Sequence, residues 1–275
     1  MRAPDWLLYI AAIAGVLLAL FAIDQRQDAP RALPGSHRAG AFLPPASIYD
    51  PHVLTEIGPQ ESGLGSAFAI NSDGWWLTAR HVVDSCDLAG VIVSPGAAAP
   101  VQEIKTANFA DLALIRTDYR VEGLALDSAE RRLQIGQNAF HVGFPQGRPG
   151  EAVSRLVGRE VLVAHGRYEV EQPVMVWAET GRTGGIGGAL SGISGGPALS
   201  ENGEVIGVTI AESARRGRLY TATPSSVLSL LNLERVEPSG APFSRIRVDN
   251  YGEKADALRR SLAVAQVVCI TGEDS

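Results

Sequence analysis

The body of this chain predicts as an all-β fold, on three observations. From Val53 onward, ten short apolar runs recur, broken by Gly, Pro, Asn and Asp. Glycine is abundant, at 30 of 275 residues, and aromatic residues make up only 6%, which suits a sheet protein with many turns. Strands do not alternate with long helices, as a parallel α/β sheet requires. A hydrophobic content of 45% with 20% charged residues is an ordinary globular composition. The net charge of −6 argues against nucleic acid as a partner, because phosphate binding rests on Lys and Arg.

Taken in chain order, the first element is Trp6–Ile23, a run without a charged residue between Asp5 and Asp24. As a helix it would be roughly 27 Å long, enough for the hydrocarbon core of a bilayer. A cleaved signal peptide is the alternative, but its apolar part is usually about 7–15 residues and ends in a small-residue site. Bulky Leu20 stands where a small residue is wanted, which favours an uncleaved anchor over residues 1–23. The charges flanking it orient the N-terminus toward the cytoplasm and the rest of the chain toward the periplasm. Residues 24–52 are rich in Pro, Ala, Gly and Arg without an apolar period and read as a linker. His37 and His52, in it, read as solvated loop residues.

The predicted strands are Ser66–Ile70, Trp75–Thr78, Gly90–Ser94, Val101–Thr106, Leu112–Thr117, Ala139–Val142, Ala152–Val157, Val174–Ala178, Val205–Ile210 and Leu219–Ala222. Ser72-Asp73-Gly74 supplies a hairpin turn between the first two. Pro224–Leu233, opened by proline, and Glu253–Ala263, with Leu258 and Leu262 four apart, predict as helices. A last strand is expected over Ala265–Ile270. Many short strands at this spacing point to a sandwich or to barrels.

The strongest chemical signal is Gly192-Ile193-Ser194-Gly195-Gly196-Pro197. A serine among glycines suits a nucleophile whose neighbouring backbone N–H groups must approach an oxyanion, because glycine tolerates φ and ψ that other residues do not. The same string fits the Gly-x-Ser-x-Gly elbow of α/β-hydrolases, whose histidine follows the serine. The five histidines, at 37, 52, 81, 141 and 165, all precede Ser194, so that assignment fails. Histidine before serine remains: His81 ends one predicted strand and Asp111 opens another. Singly, each is ordinarily a structural residue; in the order His81, Asp111, Ser194, each in the right local setting, they form a candidate catalytic set. His141 and His165 read as structural. The run Gly184–Gly188 lacks the Gly-Lys-Ser/Thr ending of a phosphate loop and, on the resemblance given next, reads as a mobile wall beside a specificity pocket. The two cysteines, Cys86 and Cys269, have no metal-site spacing, and neither metal nor cofactor is expected.

The stretches GSAFAINSDGWWLTARHVVD, ADLALIRTD and GISGGPALSENGEVIGV, with IGQNAFHVGFPQG and LYTATPSSVLSLL, resemble the trypsin/chymotrypsin-fold serine proteases, in particular the HtrA/Deg-like branch. The resemblance runs from about Ile57 to Leu233. It implies two antiparallel six-stranded β-barrels, about 53–125 and 126–235, within a protease-like domain spanning 53–235. Residues 236–275 would form an extension packed on it. It further implies His81 and Asp111 from the first barrel meeting Ser194 from the second. The N–H groups of Gly192 and Ser194 would form the oxyanion hole. Substrate would bind near Gly188, at the pocket base, and along Thr209, Ile210 and Ala211, whose backbone would pair with a peptide as an added strand. No acidic residue stands at the base, so a small or medium apolar side chain is expected there rather than Arg or Lys.

The sequence departs from the pattern at Ile193, where digestive-type relatives carry an aspartate that pairs with a freshly cut N-terminus. No such ion pair can form, so activation by cleavage is not expected. The roughly 40 residues after Leu233 are too few for a PDZ domain. A disulfide between Cys86 and Cys269 would pin the tail to the first barrel and would suit an oxidising compartment. The expected function is a membrane-tethered serine endopeptidase acting on extracytoplasmic polypeptides. The alternative is a non-catalytic protease-fold module that docks peptides, but such a module has no need of all three side chains.

Overall fold

A computed structural model describes residues 40–272 of the chain. The Trp6–Ile23 segment and His37 lie outside the described residues, and no helix among those residues is long and apolar enough to cross a membrane.

Among the described residues, fourteen strands form two seven-stranded sheets. The first contains β2 (Gly63–Ala69), β3 (Trp75–Thr78), β4 (Leu88–Ser94), β5 (Ala97–Pro100), β6 (Glu103–Thr106), β7 (Ala113–Arg116) and β14 (Val264–Ile270). The second contains β1 (His52–Ile57), β8 (Asn138–Gly143), β9 (Gly150–Gly166), β10 (Val170–Arg182), β11 (Pro197–Leu199), β12 (Val205–Ser213) and β13 (Arg218–Ala222). Among the described residues there are three α-helices: α1 (Arg80–Val83), α2 (Pro224–Glu234) and α3 (Tyr251–Arg260).

All ten expected strands are present, and both helices lie close to their predicted bounds. The expectation of two six-stranded barrels is not met as stated: among the described residues each sheet has seven strands, and only the second closes on itself. In the second sheet β8, β9, β10, β13, β12 and β11 pair in a ring that closes through β8 and β9, and β1 adds to β9 in parallel as a seventh strand. In the first sheet the N-terminal half supplies six strands, and β14 enters between β4 and β2. The tail is thus an interior strand of the first sheet rather than a covering on the domain. Its sequence VAQVVCI suits that place: Val264, Ala265, Val267 and Cys269 are buried.

The linker expected over 24–52 is also more structured in its described part. Leu43 is buried in the second-barrel core, and its N–H donates to Leu133 O at 2.7 Å. His52, expected in a loop, opens β1.

The cores follow the alternation of the strands. Phe68, Ile70, Trp76, Leu77, Leu112, Leu114 and Ile115 are fully buried in the first half. Met175, Trp177, Leu156 and Ile206 fill the second. Proline at the first turn and Thr223, whose hydroxyl accepts the Ser226 N–H at 3.2 Å, start α2. The long β9–β10 hairpin leaves the second barrel and carries its tip, residues 166–170, to the first.

Candidate active site

His81 sits on α1, one turn that begins where β3 ends, and Asp111 stands two residues before β7. Because β3 and β7 pair, with Thr78 opposite Ala113, the two side chains are brought together across 30 residues. His81 Nδ1 lies 2.7 Å from Asp111 Oδ2, and the His81 backbone N–H donates to Asp111 Oδ1 at 2.9 Å. The Tyr168 hydroxyl donates to the same Oδ1 at 2.7 Å. With Asp111 accepting from Nδ1–H, the neutral imidazole carries its lone pair on Nε2.

Burial pulls the His81 pKa down, but the charge and hydrogen bond of Asp111 outweigh it, and the result lies above the ordinary 6.5. Burial pushes Asp111 up, and His81 and Tyr168 more than offset this, leaving the carboxylate below its usual range.

Ser194 faces the same cleft, of about 490 Å³, as His81 and Asp111. The serine lies in a turn between residue 190 and β11, tied to the other barrel by the Ser66 N–H, which donates to Ser194 O at 2.8 Å. Gly195 has φ +86°, and a Cβ there would strike Ser66 O and Thr78 Oγ1, so only glycine lets the two barrels approach this closely. Gly192, with φ +97°, lies against Phe144 O. Ile193 N–H donates to Leu190 O at 2.9 Å. The N–H groups of Gly192 and Ser194 on either side donate no hydrogen bond among the described residues, nor does the Ser194 hydroxyl. The side chain of Ile193 is buried among the apolar residues of the second barrel, including Ile186 and Leu190. Hydrophobic packing therefore seats this loop where relatives of the digestive type use an ion pair.

Two further residues hold the loop. The Ser66 hydroxyl donates to Gly192 O at 2.7 Å and accepts the Phe144 N–H at 3.0 Å. Gln146 donates from its backbone to Ser191 O at 2.5 Å and from Nε2 to Gly187 O and Ala189 O at 2.7 and 2.9 Å. The wall expected over Gly184–Gly188 is thus fastened in several places, with Arg182 Nη1 also donating to Gly188 O at 2.7 Å.

Of the substrate-binding residues expected from the sequence, Ile210 and Ala211 line the cleft, whereas Gly188 and Thr209 do not. Gly188 is exposed. Thr209 is buried, with Oγ1 on His141 Nδ1 at 3.0 Å. His141 completes that bond with Ser154 at Nε2, 2.8 Å away, and burial pushes its pKa down to about 3, so it is a neutral structural residue. His165 is exposed on β9. Glu212, which sequence reasoning missed, does line the cleft; it accepts the Leu190 N–H at 2.7 Å, and burial raises its pKa. Cys86 and Cys269 are joined as a disulfide with Cα atoms 5.5 Å apart, and Cys269 reaches the rim of the cleft. Among the described residues there is no cluster of His, Cys, Asp or Glu suited to a metal.

Comparison with known proteins agrees with this fold. The model of the trypsin-like peptidase domain matches residues 65–208, just over half of the chain. HhoB of Synechocystis is 31% identical over 167 residues, which is 60% of this chain and 38% of HhoB. The periplasmic pH-dependent serine endoprotease DegQ of Escherichia coli is 28% identical over 212 residues, 74% of this chain and 43% of DegQ. The chain therefore spans well under half the length of these relatives. Among solved structures, the inactive form of the Rv3671c protease of M. tuberculosis superposes with a TM-score of 0.50 at 19% identity, covering 62% of this chain and 82% of that one. The chain belongs to the trypsin-like peptidase family, and within it is of the HtrA/Deg-like kind.

Proposed function

We propose that the protein is a serine endopeptidase that cleaves polypeptides outside the cytoplasm, with His81, Asp111 and Ser194 as its catalytic residues. The observation that carries this reading is the short His81–Asp111 bond opening on the same cleft as Ser194, beside two backbone N–H groups left without a partner.

In this mechanism the Ser194 hydroxyl turns to Nε2 of His81 as a peptide enters; such bonds are commonly open before substrate binds. His81 takes the proton as Ser194 Oγ attacks the scissile carbonyl carbon, and Asp111 stabilises the imidazolium. The N–H groups of Gly192 and Ser194 hold the carbonyl oxygen as it becomes an oxyanion; one such donor contributes roughly 3–4 kcal/mol to the transition state in comparable sites. The tetrahedral intermediate collapses, the C–N bond breaks, and His81 gives its proton to the departing amine. Water then repeats the sequence on the acyl-enzyme and regenerates Ser194. The peptide would lie along Ile210 and Ala211 as an added strand, with Glu212 able to meet a cationic side chain, contrary to the apolar preference expected from the sequence.

The apolar Trp6–Ile23 run, the disulfide and the periplasmic names of relatives such as DegQ together support a catalytic domain held in the periplasm by an N-terminal anchor. Casein degradation by the purified protein tests the activity. Wild type should produce peptides and Ser194→Ala should not; equal degradation by both would overturn the assignment.

A further inference from the structure

We infer that Tyr168 is a positioning residue of the catalytic set, its hydroxyl locking the Asp111 carboxylate against His81 from the tip of the β9–β10 hairpin. The inference rests on the catalytic reading above and adds a residue to it.

Asp111 is held at both oxygens. Oδ2 takes the imidazole at 2.7 Å, while Oδ1 takes the His81 N–H at 2.9 Å and the Tyr168 O–H at 2.7 Å. Two of these donors belong to His81 itself. The hydroxyl is the independent one, and it arrives from the other sheet. Rotation of the carboxylate would break bonds at both oxygens. Tyr168 is itself 9% exposed and Asp111 4%. Burial and the neighbouring carboxylate raise the tyrosine pKa, so the hydroxyl remains a donor throughout the working range.

The hairpin tip is built to hold that position. Gly166, at φ +118°, lies so close to β1 that a Cβ would strike Ile57 O, and the Arg167 N–H donates to Ile57 O at 3.0 Å. β1 runs beside β9 from Val161 to Gly166, which gives this extra strand a purpose as a brace for the tip. Arg167 Nη2 donates to His81 O at 2.9 Å, and its Nε is 3.6 Å from Asp84. The Arg80 guanidinium lies 3.9 Å over the Tyr168 ring. Gln172 Oε1, on β10, accepts the Asp111 N–H at 3.1 Å. One hairpin thereby grips the main chain of His81 and both the main chain and side chain of Asp111. The charged groups around the pair are Arg80 and Asp84 from α1 and its end, and Arg167 from the hairpin. If packing alone were needed here, phenylalanine would serve equally, since the ring carries the contact with Arg80.

The test is the rate at which diisopropyl fluorophosphate inactivates wild type, Tyr168→Phe and Gly166→Ala across pH, with each rate referred to folded protein. Loss of the hydroxyl leaves the Asp111 charge less shared, so it holds the proton on His81 more tightly. Tyr168→Phe should react about tenfold more slowly at its plateau, the scale of a lost hydrogen bond to a charged group, with its acid midpoint moved to higher pH. Gly166→Ala, which displaces the tip but keeps the hydroxyl, should change in the same direction. If wild type reacts and Tyr168→Phe matches its plateau and midpoint, whatever Gly166→Ala does, Tyr168 is only a packing residue and the inference falls. If wild type itself does not react, the catalytic reading has failed instead.

Discussion

At the scale of single residues, the proposed mechanism makes the protonation of His81 decide when the site can work. Only the neutral imidazole can accept the Ser194 proton. Burial lowers the His81 pKa and Asp111 more than restores it, to above 6.5. Below that pKa the base is occupied, so kcat/KM should rise with pH along an acid limb whose midpoint exceeds 6.5. A pH–rate profile checks this, and a midpoint well below 6.5 would contradict it. His141 works in the opposite sense. Its folded pKa of about 3 lies under the ordinary 6.5, so between these values the unfolded chain binds a proton that the native state refuses. Stability therefore falls as pH drops from 6.5 toward 3. Melting curves across this range should show the loss, and His141→Gln should flatten it; an unchanged slope in the variant would refute the assignment. His81, Asp111 and Ser194 could be singled out in the sequence because each sits in a local motif, and the structure sets all three on one cleft. Tyr168 could not be, since its hydroxyl meets a carboxylate 57 residues away through a hairpin whose reach no local pattern records. Gly188 and Thr209, expected along the substrate path, do not line the cleft, for a related reason. Position along the chain says which loop or strand a residue belongs to, and only packing decides which of its residues face the cleft.

At the scale of elements, the tail is the main addition. β14 pairs with β2 on one side and β4 on the other, so the first sheet is continuous only when the C-terminal end of the chain has been added. The Cys86–Cys269 bridge spans 183 residues and closes a long loop in the unfolded chain. On the chain-entropy account such a bridge contributes about 2–5 kcal/mol. Cys86→Ser/Cys269→Ser should thus lose roughly that amount in urea unfolding, and reductant should have no further effect on it; a double variant as stable as wild type would show the bridge to be idle. The ten predicted strands were visible as apolar runs between turn residues. β5 (AAAP) and β11 (PAL) were not, because alanine and proline carry little strand preference and their places are imposed by their neighbours. β1 (HVLTEI) does alternate, but it follows a stretch rich in proline and alanine that reads as a linker. The expected Cys86–Cys269 bridge brought the tail to the first barrel, but the place of β14 between β4 and β2 could not be seen, since a strand's sequence does not name its neighbours.

At the scale of the whole molecule, the two sheets meet where their most constrained backbone lies. Ser66 of β2 holds Ser194 O and Gly192 O, and Gly195 presses against β2, so the serine loop is seated on the barrel that carries His81 and Asp111. The β9–β10 hairpin joins them a second time from the opposite direction, through Tyr168 and Arg167. Catalysis in this account is a property of the interface between barrels, and neither half holds a complete site. The most direct test is to treat the protein with a fluorophosphonate probe and locate the adduct by peptide mass spectrometry. A single adduct on Ser194 in wild type, absent or greatly slowed in His81→Ala, is the predicted result. No adduct in folded wild type, or equal labelling of Ser194 without His81, would contradict the central claim.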